Sequence, residues 1–314
     1  MPTTHPSSSL SRAPRPASKL ILLILFLLTF LAGILALSQS NSPRPATPAL
    51  PDSPSSPRIA ALSPAIAVIL HDLNLDHLIV GRHSHDLILD PSIPVCFDFQ
   101  NADYEQLLAV NPTHILLQLQ SQKPPPRLAE LAATHHWHIH DLPILTLDDI
   151  RTATSRLASL FSPGADKPLL LEMTRAWSPR PNSFKGSILL LAALDPPSAL
   201  GPGSWHHQIL ERLGGKPAIT SGSPYITLDA EDILSMQPEA ILLILPRSPT
   251  SAPSPAPSID DLRRRIGRIA TLDIPANRHN RLALIDNPLA HTPSTAMIGL
   301  ADELAAILER WGSN

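Results

Sequence analysis

Tyr104-Glu105-Gln106-Leu107-Leu108-Ala109-Val110-Asn111-Pro112, running into the apolar stretch Ile115-Leu116-Leu117, is echoed much later in the chain. The second copy, Ala230-Glu231-Asp232-Ile233-Leu234-Ser235-Met236-Gln237-Pro238, runs into Ala240-Ile241-Leu242-Leu243-Ile244. In both, an acidic residue opens a short helix, a proline seven positions later stops it, and a β-rich apolar strand follows. Copies this far apart predict two similar lobes rather than a solenoid, whose period would be shorter. Two lobes imply a cleft, and a cleft implies a ligand.

Outward from the first copy, short β runs alternate with helical stretches. The pattern predicts strands at Ile59 to Leu62, Leu78 to Gly81, Val95 to Phe97, Ile115 to Gln118 and Trp137 to Ile139, and helices at Ile66 to Leu73, Tyr104 to Val110 and Arg127 to Thr134. Such alternation favours a mostly parallel sheet with covering helices. Helices at Asp148 to Phe161 and Lys167 to Trp177 follow, and the alternation resumes with a strand at Ile188 to Ala192. The reading is an α/β chain with an N-terminal lobe over 58–145, a connecting helical segment over 146–180 and a C-terminal lobe over 181–314. Five prolines between Pro246 and Ser258 mark a surface loop.

The N-terminus reads as an address. Arg12, Arg15 and Lys19, in a positive tail over 1–19, precede an uncharged eighteen-residue run from Leu20 to Leu37, the layout of an export signal. Two fates compete: cleavage after Ser38, with Ala36 at the −3 position, or retention as a membrane anchor. Either puts the folded part outside the cytoplasm, in the periplasm or its equivalent. A Pro/Ser-rich linker over 38–57, with six prolines between Pro43 and Pro57, is a spacer that cannot form a core. The formal net charge of −3 is small and unclustered, which argues against a nucleic-acid partner. Cys96 is the single cysteine, so no intramolecular disulfide forms, and its apolar neighbours Val95 and Phe97 point to a buried structural thiol.

Several ordered stretches resemble the periplasmic binding proteins for cobalamin and ferric siderophores. They are Arg58-Ile59-Ala60-Ala61-Leu62-Ser63-Pro64-Ala65, Leu78-Ile79-Val80-Gly81-Arg82, the two echoed segments, and Gly201-Pro202-Gly203-Ser204-Trp205 with Leu210 and Gly214-Gly215. The resemblance covers about 58 to 311. It implies two Rossmann-like lobes joined by a connecting helix, with the ligand cleft between them. It also implies a receptor that captures a metal chelate (corrinoid, haem or ferric siderophore) and delivers it to an ABC permease dimer with its ATPase. No cofactor is expected; the iron or cobalt chelate is cargo. Glu105 and Glu231 match the acidic residues that engage the permease in that family, and separated exposed charges of this kind orient a partner. Each could equally complement a helix N-terminus. One departure is the connecting stretch Lys167 to Trp177, which as a helix is only about 16 Å long at 1.5 Å per residue.

Open α/β sheets bind ligands at the carboxyl ends of their strands. That selects Ser63 and Pro64 after the first strand, Arg82, His83, His85 and Asp86 after the second, and Asp98 to Gln100 after the third. From the second lobe it selects Trp205, Tyr225, Asp286, Asn287 and His291. Trp205 and Tyr225 offer flat apolar faces, Arg82 could meet an anionic chelate, and His83 or His85 could ligate a chelated metal. For each, ordinary loop packing competes.

Of fourteen histidines, His136, His138 and His140 would share one face of a strand. Neighbours two apart stand roughly 7 Å from each other, long for three in a row on one metal, so an exposed strand face is preferred and no metal site is assigned. No Gly-x-Ser-x-Gly elbow, Walker loop or His-Glu-x-x-His occurs, so no catalytic residue is assigned. The competing readings are a receptor for free zinc or manganese ions, which needs three or four converging ligands, and a membrane-anchored metal-cofactor enzyme or scaffold with no transport role.

Overall fold

In the computed structural model the described residues are 56–98, 101–119, 123–181, 184–252 and 256–313. The readings placed on the N-terminal tail, on Leu20 to Leu37 and on most of the proline-rich linker lie outside them, as do Phe99 and Gln100. Among the described residues no helix is long and apolar enough to cross a membrane.

The first lobe is built on five short strands: β1 (Ile59–Ala61), β2 (Ile79–His83), β3 (Val95–Phe97), β4 (His114–Leu117) and β5 (His138–Asp141). They form one parallel sheet in the order β3-β2-β1-β4-β5. β1 is fully buried because both faces are covered, which is why it reads as an unbroken apolar run. The crossovers are α1 (Pro64–Asp72), α2 (Tyr104–Val110) and α3 (Pro126–His135).

The second lobe carries β6 (Ser187–Leu194), β7 (Pro197–Leu200), β8 (Lys216–Pro217), β9 (Tyr225–Thr227), β10 (Ala240–Ile244) and β11 (Leu282–Ile285). Its sheet runs β11-β10-β6-β7-β9, with β8 also paired to β6. The β6, β10 and β11 half is parallel, whereas β7 pairs antiparallel with both β6 and β9.

The echoed segments form matching units. α2 is capped by Asp103, whose side chain accepts from the Gln106 amide, and ends at Asn111 in the left-handed region (φ 40°). Its counterpart α7 (Ala230–Met236) is capped by Asp229, with a reciprocal bond between Asp232 and the cap, and ends at Gln237 (φ 46°). A proline then blocks the helix and a buried parallel strand begins.

Two helices join the lobes, α4 (Leu147–Phe161) and α5 (Lys167–Ala176), separated by a turn at Gly164 (φ 89°). α4 opens with a capping box between Thr146 and Asp149. Arg151 of α4 donates to the Leu170 carbonyl and the Thr174 hydroxyl of α5, tying the pair together. After α8 (Ile259–Ile266) and α9 (Pro275–Arg278) of the second lobe comes the C-terminal helix α10 (Met297–Gly312), and the pair is anchored to that lobe through α10 and α6 (Trp205–Arg212). Arg212 meets Asp148, Arg175 and Arg180 both meet Asp302, and Trp177 donates to the Met297 carbonyl. Thr295 also bonds Asp72 at the end of α1, a direct link between lobes. One apolar cluster runs through this junction, from Ile66 and Leu70 through Leu147, Ile150 and Met173 to Leu190, Leu300 and Leu304. Separate clusters cover the other face of each sheet.

Three expectations change. β2 extends to His83, so Arg82 and His83 lie on the strand rather than on the loop after it. β5 starts at His138 because His136 sits in the left-handed region (φ 58°) as the cap of α3, so His136 shares no strand face with His138 and His140. Trp205 is the first residue of α6, behind the Ser204 cap, rather than part of a loop.

Candidate functional site

In a 3-2-1-4-5 sheet the connections leave β1 and β4 towards opposite sides, and the crevice at their carboxyl ends is the natural ligand position. Ser63 follows β1, Gln118 follows β4, and the Ser63 hydroxyl donates to Gln118 Oε1 at 2.7 Å, spanning that crevice. Above it is a cavity of about 550 Å³, within the usual range for small-molecule sites. Leu62, Ser63, Pro64, Ala65, His83, His85, Phe97, Leu117, Gln118 and Leu119 line it from the first lobe, and His291, Thr292 and Pro293 from the second. The cavity is therefore bounded by both lobes.

Five residues selected from sequence meet here: Ser63, Pro64, His83, His85 and His291. His83 is buried at the end of β2, with its ring 5.8 Å from Phe97 and 5.5 Å from His85. Its Nδ1 accepts the His85 amide at 3.0 Å, which fixes a neutral ring with the proton on Nε2. Burial first, then the neighbouring His85, pull its pKa down to about 4, against an opposing pull from Asp98. His85 Nδ1 is 2.9 Å from the Ser84 hydroxyl.

His291 is held from the other lobe. Its Nε2–H donates to the Ile244 carbonyl at 2.9 Å, at the end of β10, so Nδ1 is the acceptor. Burial lowers its pKa. Behind it, the fully buried His206 of α6 donates Nε2–H to the Ala290 carbonyl at 2.7 Å, with its ring 5.0 Å from that of His291. Sequence reasoning did not select His206.

The remaining selected residues serve the framework around the cavity and do not line it. Arg82 donates from Nε to the Ile93 carbonyl (2.9 Å), from Nη1 to the His83 carbonyl (3.3 Å) and from Nη2 to the Pro91 carbonyl (3.2 Å). Asp86 Oδ1 accepts the amides of Ile88 and Leu89. Together they fold the loop between β2 and β3. Asp98 accepts the Asn101 amide. Trp205 packs on the central cluster with its indole N–H buried and unpartnered, and Tyr225 is half exposed on β9, at the sheet edge. Asp286 pairs with Arg247 at 3.5 Å, and Asn287 Oδ1 accepts the Leu289 amide in the turn that leads to His291.

Sequence reasoning missed Leu62, Ala65, Phe97, Leu117, Gln118, Leu119, Thr292 and Pro293. The strand-end rule reaches the residues after β4 once the strand order places β4 beside β1.

Glu105 and Glu231 occupy the same second position of α2 and α7, both exposed, and among the described residues neither enters an ion pair or side-chain hydrogen bond. Elsewhere, His138 and His140 share a face with His114 of β4 through the parallel register, with His114 Nδ1 3.0 Å from His140 Nε2. Among the described residues no group of three or more His, Cys, Asp or Glu is placed to hold a metal ion.

No protein-family model matches the sequence, and no curated protein matches it. Solved structures do. The periplasmic heme-binding protein RhuT from Roseiflexus sp. RS-1 superposes with a TM-score of 0.64 at 18% identity, covering 82% of this chain and 99% of that one. The periplasmic heme-binding protein HutB of Vibrio cholerae gives 0.64 at 16% identity, over 80% and 98%. The periplasmic vitamin B12-binding protein BtuF of Vibrio cholerae gives 0.60 at 17% identity, over 82% and 98%. The chain therefore has the two-lobed α/β fold of these periplasmic binding proteins, and it spans nearly their whole length.

Proposed function

We propose that this chain is the extracytoplasmic substrate-binding component of an ABC importer, capturing a metal chelate between its lobes and delivering it to the permease. The observation that carries this reading is the cavity between β1, β4 and the His291–Pro293 turn, in a fold shared with heme- and vitamin B12-binding proteins. A ligand there touches both lobes, so its binding is coupled to their spacing. A receptor for free zinc or manganese would need three or four converging ligands, and the described residues offer no such group. A chelate brings its own donor atoms. The corrinoid, haem and ferric siderophore classes all supply them.

Glu105 and Glu231 are the proposed permease contacts. Their equivalent places on equivalent helices suit a partner with two-fold symmetry, and their carboxylates have no partner among the described residues. The apolar run from Leu20 to Leu37 would export the chain or anchor it. The role is binding rather than catalysis.

Absorption spectra and native mass measurement of the purified full-length chain, titrated with hemin, cyanocobalamin and ferric siderophores, test the reading. A stoichiometric complex with one of these chelates is expected. Binding of none of them, with the protein folded, would refute it.

A further inference from the structure

Resting on the receptor reading, we propose that the cavity selects chelates whose metal core carries no net negative charge and excludes those with an anionic core, such as ferric tris-catecholates. None of the described residues that line it is Lys, Arg, Asp or Glu. Lys123, the described cation that follows the loop after β4, is exposed and does not line the cavity. Arg82, the cation nearest in sequence to the lining histidines, is committed to three backbone carbonyls of its own loop.

Two of the three lining imidazoles, His83 and His291, do not replace a missing cation. His83 accepts a backbone amide on Nδ1, which only a neutral ring can do, and His291, which gives Nε2–H to a backbone carbonyl, has its pKa lowered by burial. Asp98 stands close enough to His83 to act on it, and its charge repels an anion. The N-terminus of α1 supplies a partial positive pole, which Pro64 at its first position reduces by one N–H. An anionic core would lose its hydration with no counter-charge, whereas a neutral core loses little and gains the apolar contacts of Leu62, Phe97 and Leu119. Charges carried on outer arms that stay in water are not affected.

The test is a matched pair of ferric chelates, a neutral tris-hydroxamate and a trianionic tris-catecholate, with cyanocobalamin and hemin alongside, titrated into the full-length chain. The expected result is that at least one of the other three binds and that the tris-catecholate binds weaker than the tightest of them by on the order of a hundredfold or more. Thr292→Lys should then raise tris-catecholate affinity in a salt-dependent way. Tris-catecholate binding by the unaltered protein as tight as the tightest of the other three would overturn the inference and leave the receptor reading standing. Binding of none of the four would overturn both.

Discussion

Protonation of His206 is where acid should begin to unfold this protein. The ring is buried to 1% exposure, Nε2–H is donated to the Ala290 carbonyl at 2.7 Å, and Nδ1 is buried without a partner. A second proton would have to sit on Nδ1, with nothing to accept it. Burial first, and the nearby His291 second, pull the pKa from 6.5 down to about 3. The unfolded chain therefore takes up the proton before the folded one. The stability contributed by neutral His206 is complete above about pH 6.5 and is lost as pH falls from there towards 3. At about 1.36 kcal/mol per unit, the loss between pH 7 and about pH 4.5 is on the order of 3 kcal/mol, a large part of a typical stability of about 5–15 kcal/mol. Denaturant titrations of the full-length protein at both pH values, beside His206→Phe, measure this. The variant should be less stable at neutral pH by about 1–3 kcal/mol, because the Ala290 carbonyl loses its donor. It should also lose less stability on acidification, by roughly the His206 contribution. Equal pH dependence in the two proteins would refute the reasoning.

Three further outcomes follow from named contacts. Gly81→Ala places a Cβ 2.7 Å from Cys96 Sγ on the adjacent strand and should cost about 1–3 kcal/mol by overpacking; adding Cys96→Ala should restore part of the loss in thermal melts. Arg82→Leu removes three bonds to the carbonyls of His83, Pro91 and Ile93, so the loop between β2 and β3 should become protease-sensitive, with cleavage mapped by mass spectrometry. Replacing Glu105 and Glu231 together by Ala should leave the melting temperature unchanged, since neither is in an ion pair among the described residues, and abolish chelate uptake in cells that carry the permease; full uptake would remove their docking role.

The echoed segments carried most of the architecture. A helix, a left-handed residue, a proline and a buried strand recur because Asp103 and Asp229 cap their helices, and Pro112 and Pro238 stop them. The antiparallel β7 and β9 were not legible, because Pro197–Leu200 and Tyr225–Thr227 are too short to show a period of two. At the site, the strand-end rule reached Ser63, Pro64, His83, His85 and His291, all of which line the cavity. It could not separate them from Arg82, Asp86, Asp286 and Asn287, which sit in the same segments but satisfy loop backbone or, for Asp286, a neighbouring arginine. A charged or amide side chain beside a turn has the same appearance in sequence whether it meets a ligand or a carbonyl. The protonation pattern of His83 and His291 depends on backbone partners, one local and one as distant as Ile244, and no sequence pattern carries it.

The most direct test of the account is chelate binding measured with and without the cavity. Thr292→Trp would fill the space between the lobes from the second lobe's side while leaving the strands and core untouched. Isothermal titration of the full-length protein with whichever chelate it binds should give one tight site per chain, lost in Thr292→Trp at an unchanged melting temperature. Binding that persists in the folded variant, or no chelate binding by the unaltered protein, would contradict the account.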